Sequence, residues 1–480
     1  MTILRSAVRN VSILGISQLV MWLVALAFTI AQARLLGPAR FGVFSVALSY
    51  AAFVGIVIDF GLGTQLSRMV AQRREGHAEA LAATMLLRAG LWLAAMPLLA
   101  VAALVFGYDA DLRDAIFILA LSMLLLGFGS AIASYLQGRE QFVLASVAQV
   151  AHRLVSAVVG IAVLVAHPDL IALAWAFVLG GVANVVVLLF GLRRGFAPSR
   201  WIDGRAAVSF FRSTIPLGLF SIATTFYWGV DMIMLERLAP AENVGWYAAA
   251  YRLFSVATIP ATLVASVALY PVLARLAVSS RTDLRAVIEK SLTLLILAGV
   301  AAALVFVLFA DPIVAQLYPA ASYAPAASAL RLLAPALLFI HVNWIFASSL
   351  LSLQQERRLL VIALAAATLN PLANLIAIPL LRQDGAALVT SLTELFLLVS
   401  LLRTMPRDLL ASETLRVATK ALLAAAITAA IMLPVSGVTL FVTIPLTLAC
   451  FGVFTFALQA VSKSDLSALR ALVRPTEVRS

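Results

Sequence analysis

The sequence predicts an all-α integral membrane protein with about fourteen transmembrane helices, built from two copies of a six-helix unit followed by one further helix pair. Three observations carry this reading. Apolar runs long enough to cross ~30 Å of hydrocarbon recur along the whole chain, with short polar breaks between them. Of the 480 residues 63% are hydrophobic and only 12% charged, with a mean hydropathy of +1.05, a composition that needs lipid as its solvent. A motif in the first hairpin also returns about two hundred residues later.

That motif runs from Leu35 to Asp59, LLGPARFGVFSVALSYAAFVGIVID, and its weaker copy is RLAPAENVGWYAAAYRLF from Arg237. Aligning Pro38 with Pro240 and Gly42 with Gly245 takes one inserted residue. Proline ends a helix and glycine lets the backbone turn, so each copy predicts a tight hairpin between two membrane helices. Duplication inside a helical membrane protein points first to a transporter.

Taken in order, the apolar runs fall at 11–31, 41–62, 83–106, 114–136, 142–166, 170–191, 211–235, 246–272, 291–310, 326–351, 359–381, 386–403, 414–434 and 438–461. The first follows Arg5 and Arg9 and ends in Ala31-Gln32-Ala33, a pattern like a signal-peptide cleavage site. A signal core is about 7–15 residues long, so this longer run is expected to remain as the first helix. The single cysteine, Cys450, sits in the last run, which excludes an intramolecular disulfide and fits core filling.

Lysine and arginine set the orientation. With the N-terminus in the cytoplasm, 25 of the 34 basic residues fall on that side, five (Arg34, Arg40, Arg113, Arg237 and Arg382) on the other, and four (Arg88, Arg153, Arg252 and Arg331) inside apolar runs. This obeys the positive-inside rule with both termini cytoplasmic. Because the positive charge alternates with apolar runs, the net +12 does not form the single basic face that nucleic acid requires.

The longest polar connection, 193–210, separates two halves, 1–192 and 211–403; residues 404–461 are an appended helix pair and 462–480 a cytoplasmic tail. The connection fits either a hinge or a linker resting on anionic headgroups. A second internal match supports the halves: QGREQFVLASVAQVAHRLV from Gln137 aligns with QQERRLLVIALAAATLNPL from Gln354, placing Arg153 opposite Asn370.

Polar residues at membrane depth are the candidate site residues. A charge at the bilayer centre costs ~2.5–3.5 kcal/mol on insertion scales, so it faces a cavity or a partner. Arg153 lies mid-helix and forms a stripe with Gln149, His152 and Ser156 at helical spacing. Either it lines a cavity, or it pairs with Glu394 or Asp231. Arg252 lies beside Tyr247 and Tyr251, and Asp231 shares a face with Thr224 and Trp228. Gln18, Trp22, Thr29 and Gln32 make a polar stripe on the first helix. Asn370 and Asn374 flank Pro371 and suit either ligand contact or helix-to-helix hydrogen bonds. Arg34 and Asp59, near helix ends, are open to solvent or to each other, whereas Arg88 is expected to snorkel to the cytoplasmic interface. Pro216, Gly218, Pro260 and Pro371 mark expected kinks.

No enzyme constellation is present. The histidines at 77, 152, 167 and 341 lack metal spacing, and no phosphate loop or nucleotide motif occurs, so no metal and no cofactor is expected. Transport would draw on an ion gradient or on substrate supply, with Asp59, Asp231 and Glu394 as candidates for ion coupling.

ARLLGPARFGVFS with DFGLG, NVGWYAAAYRL with ALYPVLARL, and LNPLANLIAIPLLRQDGAALVTSLTE resemble the Wzx-type polysaccharide flippases of the MOP (MATE-like) transporter superfamily, over nearly the whole chain to about residue 403. The resemblance implies two pseudo-symmetric six-helix bundles around a central cavity, rocking between inward- and outward-open states. It implies as substrate an oligosaccharide on a polyprenyl diphosphate, moved across the inner membrane of a bacterium. On this reading Arg153, Arg252 and Arg34 favour the anionic head group, with His152, Gln149, Gln18, Asn370 and Asn374 lining the cavity. Trp22, Trp228, Tyr247 and Tyr251 would stack on sugar rings. A polysaccharide polymerase and export proteins are the expected partners. Twelve spans are common in such flippases and fourteen occur in the related lipid II flippases, so the appended pair bears on the subfamily; it fits a groove for the lipid tail or a purely structural role. A MATE-type exporter with an acidic cavity, or a membrane enzyme with paired outward carboxylates, are the competing readings.

Overall fold

A computed structural model describes residues 2–72, 77–192, 204–410, 412–435 and 439–460. These form helices joined by short turns, with no strand among the described residues. Over the described residues the fourteen apolar runs are mostly helix, and twelve of the described helices are long and apolar enough to cross a membrane.

The order is α1 (Thr2–Asp59), α2 (Leu62–Ala71), α3 (His77–Val105), α4 (Ala110–Gly138), α5 (Phe142–Ala166), α6 (Leu170–Leu192), α7 (Gly204–Leu238) and α8 (Ala241–Ala257). The short α9 (Ile259–Thr262), a π-helix (Leu263–Leu269) and α10 (Tyr270–Ser279) complete the run begun by α8. There follow α11 (Arg281–Leu317), α12 (Ala320–Tyr323), α13 (Ala326–Ser352), α14 (Glu356–Leu381), α15 (Gln383–Thr404), α16 (Ser412–Met432) and α17 (Leu440–Ala457). Helix α1 spans two apolar runs, and its break falls at Gly37, whose φ of 72° and ψ of 170° are non-helical. That left-handed φ is available to glycine at little cost, and Pro38 then starts the next helical stretch. The expected kink at Pro260 is followed by the π-helix, a wider winding that often marks a functional bend.

Contacts divide the chain into two compact units, Met1–Ala249 and Ala250–Ser480. In the first, α4, α5 and α6 pack closely through small residues. A methyl group on Gly180 of α6 would lie 2.0 Å from Ser156 Oγ and 2.8 Å from the His152 carbonyl oxygen of α5; one on Gly129 of α4 would lie 1.9 Å from Asn184 Oδ1 of α6. Such interfaces replace the hydrophobic effect, which lipid cannot supply between helices, with close van der Waals contact. Helix α7 belongs to this unit because it rests on α1: Phe53 meets Phe226, and Phe60 stacks on Phe211 at 5.3 Å. The two copies of the hairpin motif also meet here. A Cβ on Gly42 would fall 2.6 Å from the Ala241 carbonyl oxygen and 2.8 Å from Gly245 N, and one on Gly245 would fall 2.0 Å from the Pro38 carbonyl oxygen.

The second unit is built on α11 and α13, with a core that includes Leu292, Leu295, Ile296, Phe346, Leu401 and Phe451. Helices α16 and α17 pack on each other and on α11. The appended pair is therefore part of the core of this unit.

Candidate functional site

The first unit holds a half-open cavity of about 250 Å³ between α1, α4, α5 and α6. Helix α5 contributes Ala145, Gln149, His152 and Arg153, α6 contributes Asn184 and Leu188, α1 contributes Gly55 and Asp59, and α4 contributes a wall from Met123 to Ala133 that includes Gly127, Gly129 and Ser130. Gly127 and Gly129 of α4 let α1 and α6 approach closely beside it: a Cβ on Gly127 would lie 3.0 Å from Ile58 Cγ2 and one on Gly129 1.9 Å from Asn184 Oδ1. From Ala145 to Arg153 the cavity follows α5 for about 12 Å at 1.5 Å per residue, so it reaches the middle of the helix.

Arg153 is exposed on this wall and makes no ion pair or hydrogen bond among the described residues. The pairings open to it in the sequence fall elsewhere: Glu394 accepts from Asn343 Nδ2 at 2.7 Å, and Asp231 accepts from the Tyr247 hydroxyl at 3.0 Å. Beside Arg153, His152 is 8% exposed and its Nε2 has no partner. Gln149 faces the same space.

Asp59 does not pair with Arg34. Its Oδ1 accepts from Arg88 Nη2, while Arg88 Nη1 donates to the Gly127 carbonyl oxygen and to Ser130 Oγ. The expected snorkelling of Arg88 is also corrected, since its side chain is 0% exposed while that of Asp59 is 41% exposed. Arg88 stays inside because three acceptors converge on its guanidinium, which compensates the desolvation that would otherwise drive it to water. The carboxylate on the cavity wall is thus neutralised from behind, and among the described residues Arg153 is a cation on that wall without a counter-charge.

The second unit holds a separate polar cluster. Asn343 of α13 donates to both the Glu394 carboxylate and its backbone oxygen on α15; Asn370 of α14 donates to Thr393 Oγ1 at 3.4 Å, and Asn374 donates to Asn370 Oδ1 at 2.9 Å. All of these side chains are buried. Arg252 and Tyr251 are half-buried, Tyr251 against Phe254, and Arg252 lies close enough to Tyr318 to act on its charge. Tyr247 is buried with Asp231, Trp22 is half-buried, Arg34 is exposed, and Thr29 and Gln32 are buried. The side chains of Gln18, Thr224 and Trp228, residues 193–203 of the connection, and the tail from 461 onward lie outside the described residues.

Sequence reasoning brought Gln149, His152 and Arg153 to one stripe, and the fold adds Asp59. It missed Asn184, Asn343, Ser130 and the part played by Arg88. Asn184 carried a readable signal, a lone amide at mid-depth of an apolar run. No grouping of three or more metal-ligating side chains occurs among the described residues.

The sequence model of a family described as "Polysaccharide biosynthesis protein" matches residues 7–277, and that of the MatE family matches residues 216–376. A search of curated proteins gives no match by sequence. Among solved structures, the fold is similar to a lipid II flippase MurJ in an inward closed conformation, at 14% identity and a TM-score of 0.72, covering 96% of this chain and 100% of that one. It is similar to a multidrug resistance MATE family transporter of the MOP superfamily in an inward-facing conformation, at 14% identity and TM-score 0.67, covering 80% and 93%. A MOP superfamily transporter from Pyrococcus furiosus, whose binding pocket is described as of reverse polarity, matches at 17% identity and TM-score 0.58, covering 81% and 92%.

Proposed function

The chain belongs to the polysaccharide biosynthesis protein family, with the fold of the MOP transporter superfamily, and from that premise we propose that it is a Wzx-type flippase. Its passenger is an oligosaccharide linked to a polyprenyl diphosphate, carried by alternating access across the cytoplasmic membrane of a bacterium for surface polysaccharide synthesis. The observation that carries the reading is Arg153: a guanidinium with no counter-charge among the described residues, on the wall of a cavity at mid-helix. In a low-dielectric surrounding such a group is tolerated where it meets an anion, and a lipid-linked glycan supplies one in its diphosphate and in acidic sugars. The excess of Lys and Arg on one side supports termini in the cytoplasm. Arg252 and Arg34 would add positive charge along the route, and Asp59, Asp231 and Glu394 remain the candidates for coupling to an ion gradient. The protein acts as a transporter and catalyses no covalent step; a polymerase and export proteins are its expected partners.

A MATE-type exporter of cationic compounds is the second reading, favoured by the MatE match over residues 216–376. The cavity charge argues against it, since Asp59 is neutralised by Arg88 and the charge left over is positive.

Deleting the gene and assaying the leaflet distribution of lipid-linked repeat units tests the proposal. Accumulation on the inner leaflet, reversed by the wild-type gene and not by an inserted Arg153→Ala variant, is the expected result. An unchanged distribution in the deletion strain overturns it.

A further inference from the structure

The turn between α3 and α4 is gripped by the far end of α7. Gly107, at a φ of 64°, lets the chain double back with Phe106 and Tyr108 on either side of it. Arg237 Nη1 donates to the Phe106 carbonyl oxygen at 2.8 Å, and its guanidinium lies 5.8 Å from the centre of the Phe106 ring. Tyr108 packs on Phe106 and meets Tyr50 of α1 edge to face, with the two hydroxyls 2.7 Å apart. Both tyrosines are buried. All these residues lie in the first unit, yet α7 begins the second sequence half. The grip therefore joins one half to the other, at the end that carries Arg113 and Arg237.

One member of this cluster is out of balance. Glu236 is half-buried, one residue beyond the apolar run that ends at 235, and shares a hydrogen bond with Tyr108. Its Oε2 is shielded from water and has no hydrogen-bond partner among the described residues. An ionised carboxylate taken out of water needs donors on both oxygens, and the surroundings do not supply them. Helix α1 brings Tyr50, whose hydroxyl is engaged by Tyr108; the turn brings Tyr108 and a second carboxylate, Asp109; α7 brings Arg237, whose guanidinium is committed to Phe106. Burial raises the Glu236 carboxyl above its ordinary value; Arg237 and Tyr108 oppose the rise and Asp109 adds to it. Parting α7 from the turn would return the orphan oxygen to water, so the closed arrangement holds a proton more firmly than an open one. The stability this gives is complete below the ordinary glutamate value of about 4.3. It declines as pH rises through the raised value of the closed form.

We propose that Glu236, Tyr108 and Tyr50 form a pH-sensitive latch between the two sequence halves at the outer end of the first unit, closed while Glu236 carries a proton and loosened when it ionises. The proposal rests on the flippase reading, which requires that end to open and places it on the non-cytoplasmic side. Acidity outside then holds the protein shut toward that side, and a neutral medium lets it open.

Double electron–electron resonance on the full chain in detergent micelles tests the latch, with spin labels at Ala110→Cys and Leu238→Cys, both exposed, in a Cys450→Ser background. Raising the pH from 5 to 8 should increase the ratio of long to short distances about tenfold. Glu236→Gln, which keeps the shape and carries no charge, should hold the short distance across that range. Tyr108→Phe, which takes the donor from the carboxylate, should favour the long distance further at pH 8. A wild-type ratio that does not change, opening on acidification, or a pH response in Glu236→Gln equal to that of wild type overturns the latch. The distances are read without a passenger, so their failure leaves the leaflet assay untouched, whereas an unchanged leaflet distribution in the deletion strain overturns the flippase reading itself.

Discussion

Arg88 and Asp59 form an ion pair with one partner sealed inside the bundle and the other on the cavity wall. The pair joins the end of α1 to α3, and the hydrogen bonds of Arg88 to Gly127 and Ser130 extend the link to α4. Removing one member of a buried pair leaves an uncompensated charge, and replacing both is far better tolerated. Asp59→Ala is expected to destabilise by about 1–3 kcal/mol, reduced by the partial exposure of Asp59, while Asp59→Ala with Arg88→Met recovers most of the loss. Thermal unfolding of the purified variants in one detergent gives the double-mutant cycle; an additive double variant contradicts the coupling.

The contact between Gly42 and Gly245 leaves no room for a side chain. Gly245→Ala puts a methyl group 2.0 Å from a backbone oxygen, which cannot rotate away, so a loss of about 1–3 kcal/mol is expected from overpacking. Gly452→Ala is the control, because a Cβ there meets nothing within 4 Å. It should be neutral or stabilise by up to about 1 kcal/mol through helix propensity. Comparable melting points for the two variants would show that the crossing is looser than described.

Asn343 gives Glu394 two of its hydrogen bonds. Asn343→Leu should cost about 1–3 kcal/mol by leaving buried acceptors without those donors, and Glu394→Gln should cost less because the amide still accepts. Stability and transport measured on the same two variants separate a structural network from ion coupling. Coupling predicts that Glu394→Gln is stable and loses gradient-driven transport; a network predicts that the stable variant still transports.

Outside the spans, Arg281 donates to Asp408 at 2.7 Å, and this hydrogen bond, with the attraction of the guanidinium, holds the Asp408 carboxyl below its ordinary value. A carboxyl lowered in the folded state contributes stability above its unfolded pKa and loses it as pH falls through the folded one. The melting difference between wild type and Asp408→Asn should therefore be small and present at neutral pH, and decline as pH falls below the ordinary aspartate value of about 3.9. It should also shrink in high salt, since the pair is exposed. A difference that grows on acidification reverses the sign and rejects the assignment.

Much of this chain was legible before any coordinates. Run length and hydropathy placed the apolar runs mostly on helix, because in lipid the backbone must satisfy its own hydrogen bonds and a helix does so within one segment. The spacing of Gln149, His152 and Arg153 on one face followed from the 3.6-residue period alone. What the sequence left open was partnership. Asp59 is open to water or to Arg34 until α1, α3 and α4 are brought together, and the cation that pairs with it is Arg88. Asn184 reads as a stray amide until Gly129 lets α6 approach α4 and leaves a chamber beside it. Secondary structure in a membrane is decided locally, by the solvent each residue meets. Whether a buried polar group is a fastening or a binding site depends on which distant helix supplies its partner, and only tertiary packing decides that.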